Sequence, residues 1–272
     1  MIDLQTAIII FTLTGLASGV LSALYGIGGG IIIVPLLYRY LLTLQLPHGI
    51  EMHSAVATSL LAMLVITANS IYWHYKKGNI LLAEVHKMLP WIAIGAFIGG
   101  LLSSRIGGVI LHELFVSVLL AGILFQVLRQ DFFKTHVLEE FIHPTLKHNI
   151  VVCTVIGIIS VMIGIGGSIM TLPYLRKARM PMINASAVSV ALVPTVSLLG
   201  TLGYIFTASA YTFNLPGAFW GFIYLPAFIA ISVGAVLGAP VGVKLCQTLS
   251  DSVLATSYFL LLIVLLIISM QL

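Results

Sequence analysis

Four glycines stand within five residues of this chain, Gly26, Gly28, Gly29 and Gly30, and Pro35 follows them. The pattern returns as Gly164, Gly166, Gly167 and Ser168, followed by Pro173. Glycine at that density does not hold a regular helix. A break frees backbone N–H groups, and a helix restarting after it carries a partial positive charge at its first turn. Two such starts can bind a small oxyanion without a fixed countercharge, and glycine lets the backbone come close to it. Gly28, Gly29, Gly30, Gly166, Gly167 and Ser168 are therefore the first candidate substrate-binding residues. Close helix packing is the competing use of small residues. A matched pair of runs, each ending in proline, favours the binding use.

Hydroxyls come next. Ser54 and Thr58 are four residues apart and Ser186 and Ser189 three apart, so each pair shares a helix face. Thr58, Ser59, Ser186 and Ser189 could donate to an anion. They could equally bond to helix backbone, as Ser and Thr do in membranes. Asn69 reads as structural, with a share in the pathway or a coupling cation as the alternative. Arg105 and Lys244 fall at matching places and suit either the attraction of anions or anchoring at headgroups. His53 is the candidate titratable group on the path, though a solvated interfacial histidine has the same signature.

Other chemistry is not signalled. Neither Gly26 nor Gly28 has the third glycine of a dinucleotide fingerprint. His112-Glu113 has Val116 where a zinc-binding helix needs its second histidine. Cys153 and Cys246 lie far apart in apolar segments, with no disulfide or metal spacing. The expectation is no enzyme, no metal and no cofactor.

The elements that position these residues are membrane helices. Of 272 residues 60% are hydrophobic and 7% charged, against about 25% charged in soluble domains. The mean hydropathy is +1.16. These values exclude a soluble enzyme or a nucleic-acid binder, and the net charge of +4 serves orientation instead. Met1 to Gln5 carry no positive run, so a cleaved signal peptide is not expected. Apolar segments are expected at 6–24, 53–73, 88–103, 109–128, 149–163, 184–208, 216–240 and 252–271. Trp73, Trp91 and Trp220 suit interface anchors near their ends.

The chain is duplicated. The glycine runs match at an offset of 138 residues, Ser54-Ala-Val-Ala matches Ser186-Ala-Val-Ser at 132, and Gly95 to Gly99 matches Gly234 to Gly238 at 139. The repeats are 1–128 and 149–272, joined by a polar connector at 129–148, and form one transport domain. If every segment crossed, the Lys and Arg side chains would divide 6 against 6. If segments 1 and 5 instead turn back at their glycines, they divide 10 against 2, and Arg39 and Arg105 alone face the far side. The positive-inside rule selects that second arrangement. It makes each repeat a re-entrant hairpin plus three crossings, hence inverted, with the connector in the cytoplasm.

The paired Gly-Ile-Gly-Gly-Gly and Gly-Ile-Gly-Gly-Ser motifs, each with proline five residues on, resemble the TauE/SafE family of membrane permeases. The chain length, the duplication and the Ala57-Thr58-Ser59 run resemble it as well. The resemblance covers nearly the whole chain. It implies a multi-pass cell-membrane transporter of small anions, with sulfite and organosulfonates as the substrates linked to named members. Ser168 departs from the motif's last glycine, and Ser189-Val190 stands where the first repeat has Ala57-Thr58. The expected partners are a small anion and the lipid bilayer. Gly95, Gly99 and Gly100 suit either a homodimer contact or the bundle interior. An anion channel is the alternative function, since a channel can also use facing glycine breaks.

Overall fold

A computed structural model describes residues 4–44, 46, 49–103, 105–128, 130–133, 145–208 and 218–271. It is an all-α membrane fold. The helices are α1 (Leu4–Tyr25), α2 (Gly30–Leu42), α3 (Ile50–Lys76), α4 (Leu82–Ser103) and α5 (Gly108–Leu128). After a 3₁₀ turn at Gln130–Phe133 come α6 (Leu146–Ile163), α7 (Ser168–Lys177), α8 (Met182–Ala208), α9 (Leu225–Thr248) and α10 (Asp251–Met270). Eight of these are long and apolar enough to cross a membrane, and α2 and α7 are the short ones. Residues 129 and 134–144 of the expected connector lie outside the described residues.

Most segment boundaries differ from the sequence reading by one to three residues, the segment expected to end at 240 runs on as helix to Thr248, and two starts differ by more than three. The helix expected from residue 88 begins at Leu82, because Glu84 and Lys87 pair across one turn at 2.6 Å and extend it into polar sequence. The segment expected at 216–240 opens with an antiparallel ribbon, β1 (Phe219–Trp220) and β2 (Ile223–Tyr224), turned at Gly221 with φ +58°. Helix starts only at Leu225, where Pro226 suits the first turn.

At each glycine run the chain reverses. A methyl built on Gly29 would stand 2.9 Å from Ser18 Cβ, seven residues back from the end of α1. Farther along, the rings of Phe11 and Tyr40 meet edge to face at 5.0 Å. So α2 runs back beside α1. The second half repeats this: Gly167 faces Ser160 and Ile156, and Tyr174 Oη donates to Asn149 Oδ1 at 3.0 Å. Each glycine run is thus the tip of a hairpin.

The long arms pack on helices of the other half. Along α1 and α9, Gly15 meets the Ile231 carbonyl, Gly19 the Ala235 carbonyl and Gly242 the Val20 carbonyl. The two helices therefore lie parallel and nearly in backbone contact. The same holds for α4 and α6, where Gly95 meets the Thr154 carbonyl and Gly99 the Ile158 carbonyl. Small residues permit that approach, which is how helices adhere where lipid offers no hydrophobic drive. Gly100 packs on Leu199 and Gly203 of α8. These three glycines are used inside the bundle.

Helices α3 and α8, equivalent in the two halves, cross antiparallel. The His53 ring lies 6.0 Å from that of Tyr204, Gly200 faces Leu60, and Asn184 Nδ2 donates to the Asn79 carbonyl at 2.9 Å. Outward faces carry Leu128, Phe206, Val109, Ile229 and Leu237, the apolar girdle a bilayer requires.

Candidate anion site between two glycine breaks

The six hairpin glycines have matched left-handed torsions. Gly26, Gly28 and Gly29 have φ of +73°, +65° and +88°, and Gly164, Gly166 and Gly167 have +69°, +77° and +87°. A side chain at any of them costs strain. Gly29 and Gly167 are the N-caps of α2 and α7. The Gly29 carbonyl takes the N–H groups of Ile32 and Ile33, and the Gly167 carbonyl takes those of Met170 and Thr171. The amides of Gly30, Ile31, Ser168 and Ile169 therefore precede the first intrahelical bonds.

The two tips meet. Gly30 lies against the Gly164 carbonyl and 3.0 Å, at Cβ position, from Ile165 Cα. Gly28 and Gly166 both face Val193 Cγ1 and Met63 Sδ, which stand 2.9 and 3.1 Å from the Cβ position of the first and 2.8 and 3.2 Å from that of the second. The crossing of α3 and α8 is thus the floor shared by both tips. Residues 26–30 and 164–168 are all buried.

Hydroxyls sort into those that hold the tips and those left over. Ser59 Oγ donates to the Gly164 carbonyl at 3.1 Å, and Ser186 Oγ donates to the Leu24 carbonyl at 3.0 Å. Each ties a hairpin to the opposite half. Thr58 Oγ1 accepts the Tyr224 N–H at 2.9 Å, so the ribbon covers it. Ser18, Ser54, Ser168 and Ser189 carry buried hydroxyls without a hydrogen-bond partner. Ser189 Cβ stands 3.0 Å from the Cβ position of Gly26, and Ser18 Oγ stands 3.4 Å from that of Gly29.

The remaining candidates lie away from the tips. Asn69 Nδ2 donates to the Val236 carbonyl at 2.9 Å and fastens α3 to α9. Arg105 and Lys244 are exposed beyond or near helix ends. His53 sits among rings, 6.0 Å from Tyr204 and 5.7 Å from Phe222, with Nδ1 buried and unpartnered.

The two ends of the molecule are closed by different chemistry. At one end Tyr40 Oη and Tyr224 Oη lie 3.3 Å apart, beneath the ribbon. At the other, Arg176 Nη1 donates to Asp251 Oδ2 at 2.6 Å with both side chains buried. The same guanidinium donates to the carbonyls of Phe132 and Met180, and Asp251 accepts the Met182 N–H. Sequence reading counted Arg176 only as one of the ten Lys and Arg side chains on one side and missed this pair. A lone Asp in the first turn of α10 gave no hint of a partner 75 residues earlier.

The sequence profile of the family described as sulfite exporter TauE/SafE matches residues 11–270. A probable membrane transporter protein of Methanocaldococcus jannaschii is 29% identical over 242 residues, covering 88% of this chain and 86% of that one. One of Haemophilus influenzae is 28% identical over 261 residues, covering 95% and 96%. A third, of Bacillus subtilis, is 25% identical over 248 residues, covering 89% and 91%. No solved structure matches the chain.

Proposed function

The chain belongs to the TauE/SafE family of membrane transporters, and from that premise we propose that it carries small anions, sulfite or an organosulfonate, by alternating access around the paired hairpin tips. The observation that carries this reading is the meeting of two glycine-capped helix starts from opposite halves, with buried unpartnered serine hydroxyls beside them. An oxyanion there would take N–H groups from Gly30 and Ser168 and hydroxyls from Ser168 and Ser189. Gly28, Gly29, Gly166 and Gly167 would leave it room. Helix starts and hydroxyls hold an anion loosely enough to release it, which a buried arginine would resist.

An inverted arrangement of the halves would suit the mechanism. Antiparallel α3 and α8, and hairpins that reverse at their glycines, fit the 10-against-2 division of Lys and Arg. In this reading the end near Arg176 faces the cytoplasm. Inverted halves can rock about a fixed site and expose it to either side in turn. The buried tips, covered at one end by the Tyr40–Tyr224 contact and at the other by the Arg176–Asp251 pair, correspond to the occluded state of that cycle. They weigh against an open anion channel.

The test is thermal unfolding of the purified protein in detergent with sulfite, sulfate, sulfoacetate, taurine, acetate and chloride. An anion at 100 times its dissociation constant stabilises the folded state by about 2.7 kcal/mol. A selective shift with one sulfur oxyanion, followed by saturable countertransport of it in proteoliposomes, supports the proposal. Large unitary currents would favour a channel, and a shift with none of the anions would remove the anion site.

A further inference from the structure

One side chain reaches both hairpin tips. Met63 of α3 carries its Sδ to 3.1 Å from the Cβ position of Gly28, 2.9 Å from that of Gly30 and 3.2 Å from that of Gly166. The first two glycines belong to the hairpin of its own half and the third to the other. The Met63 side chain is wholly buried. The other side chains nearest the tip glycines are serines, valines and isoleucines. Serine is short, and valine and isoleucine are held to few rotamers by branching at Cβ. Methionine is unbranched, with three rotatable bonds. Met63 is thus the side chain beside the tips that can yield space while the backbone stays in place. At the offset that aligns Ser54 with Ser186, Thr195 stands opposite Met63. The thioether therefore comes from one half alone.

The candidate site has two unlike sides. The starts of α2 and α7 offer N–H groups, and Ser168 and Ser189 offer buried hydroxyls without a partner. The floor, made by the Met63 thioether and Val193 Cγ1, offers an anion neither a donor nor a charge.

We infer that Met63 sets the size of the anion that the tips accept. The inference rests on the transport reading above and narrows it to a substrate class: compact oxyanions, with at most one carbon on the central atom, over sulfonates that carry a carbon chain. The oxyanion head takes the donors of the helix starts. Any further length has to lie where Sδ lies, because Sδ touches three tip positions at once. A head alone needs only the end of the Met63 side chain to turn aside. A carbon chain needs that side chain gone.

The test uses sulfite, methanesulfonate and propane-1-sulfonate. Their apparent dissociation constants are read from thermal unfolding of the full-length protein in detergent. The wild type should bind sulfite and methanesulfonate more tightly than propane-1-sulfonate. In Met63→Ala the preference for sulfite over propane-1-sulfonate should shrink by at least about tenfold, the lower end of what one methylene decides in an apolar pocket. Met63→Val, also shorter, shifts it the same way and serves if the alanine variant does not fold. Met63→Leu conserves volume and keeps the preference. Met52→Ala removes another buried methionine of the same helix, roughly 16 Å away along α3 at the helical rise. It shares the loss of packing and keeps the preference, which separates a role in specificity from a role in the core. A wild type that binds the three anions alike, a preference unchanged in both shortened variants, or one lost equally in Met52→Ala overturns the inference. If none of the anions stabilises the wild type, the anion reading falls and this inference with it. A wild type that is stabilised, with a preference indifferent to Met63, removes the inference alone.

Discussion

Ser59 of the first half donates its hydroxyl to the carbonyl of Gly164, at the tip of the hairpin in the second half, 3.1 Å away. The bond satisfies a carbonyl that the helix break would otherwise strand in a buried place. Ser186 does the same for the Leu24 carbonyl in the first half. The hydroxyls that hold the tips are therefore distinct from those free to meet a ligand, and the two groups respond differently to substitution.

Ser59→Ala leaves the Gly164 carbonyl without that donor and should lower unfolding stability by about 1 kcal/mol. Ser189→Ala removes a hydroxyl that has no partner, so its stability should equal the wild type within error. It should instead weaken the stabilisation given by the transported anion. Unfolding in detergent with and without anion separates the two; equal loss of stability in both variants would contradict the division.

Gly29→Leu and Gly167→Leu put a side chain at φ +88° and +87°, where an L-residue costs roughly 1–2 kcal/mol before any clash. At Gly29 the new Cβ meets Ser18, and at Gly167 it meets Ser160. Both variants should reach the membrane and fail in anion flux. Undiminished flux in both would refute the role given to the tips.

Arg176→Met and Asp251→Leu each strand a buried charge, and each should cost about 3–5 kcal/mol. The double variant strands neither and should recover most of the loss. Membrane yield and thermal unfolding of the three variants read this directly. Additive losses in the double variant would mean the two residues act separately.

Gly95→Leu and Gly234→Leu drive a side chain into the carbonyls of Thr154 and Thr12 on the helix alongside. Backbones held this close have no slack, so overpacking should cost at least the usual 1–3 kcal/mol or so. The measurement is the fraction of protein that stays monodisperse after extraction. Gly107→Leu, where nothing lies within 4 Å of the new Cβ and the backbone is not left-handed, is the control for the packing effect.

Much of this architecture was legible in the residues. The glycine runs announced the breaks because no other residue type accepts those torsions cheaply. Lys and Arg counts announced that the chain reverses there, because insertion leaves a charge asymmetry in the sequence itself. Partners across the bundle were not legible. Thr58 looked free for a ligand, and nothing in its neighbours shows that Tyr224 would reach it from 166 residues away. Arg176 sat in a run with Lys177 and Arg179 that reads as a solvated loop, and only folding turns that one side chain inward. The ribbon at Phe219–Tyr224 hid within an apolar stretch, where hydropathy does not tell strand from helix.

The exchange of long arms between the halves also sets a timetable for assembly. Helix α1 has its most intimate neighbour in α9, which begins 200 residues after α1 ends. At about 5–20 residues per second of synthesis, the first helix waits roughly 10–40 s for that neighbour. During the wait its glycine face, Gly15 and Gly19, looks onto lipid or onto whatever chaperone occupies the groove. The first half is thus a guest without a host until the second is made. A chain cut in the connector should yield two pieces that are each degraded alone and rescued together.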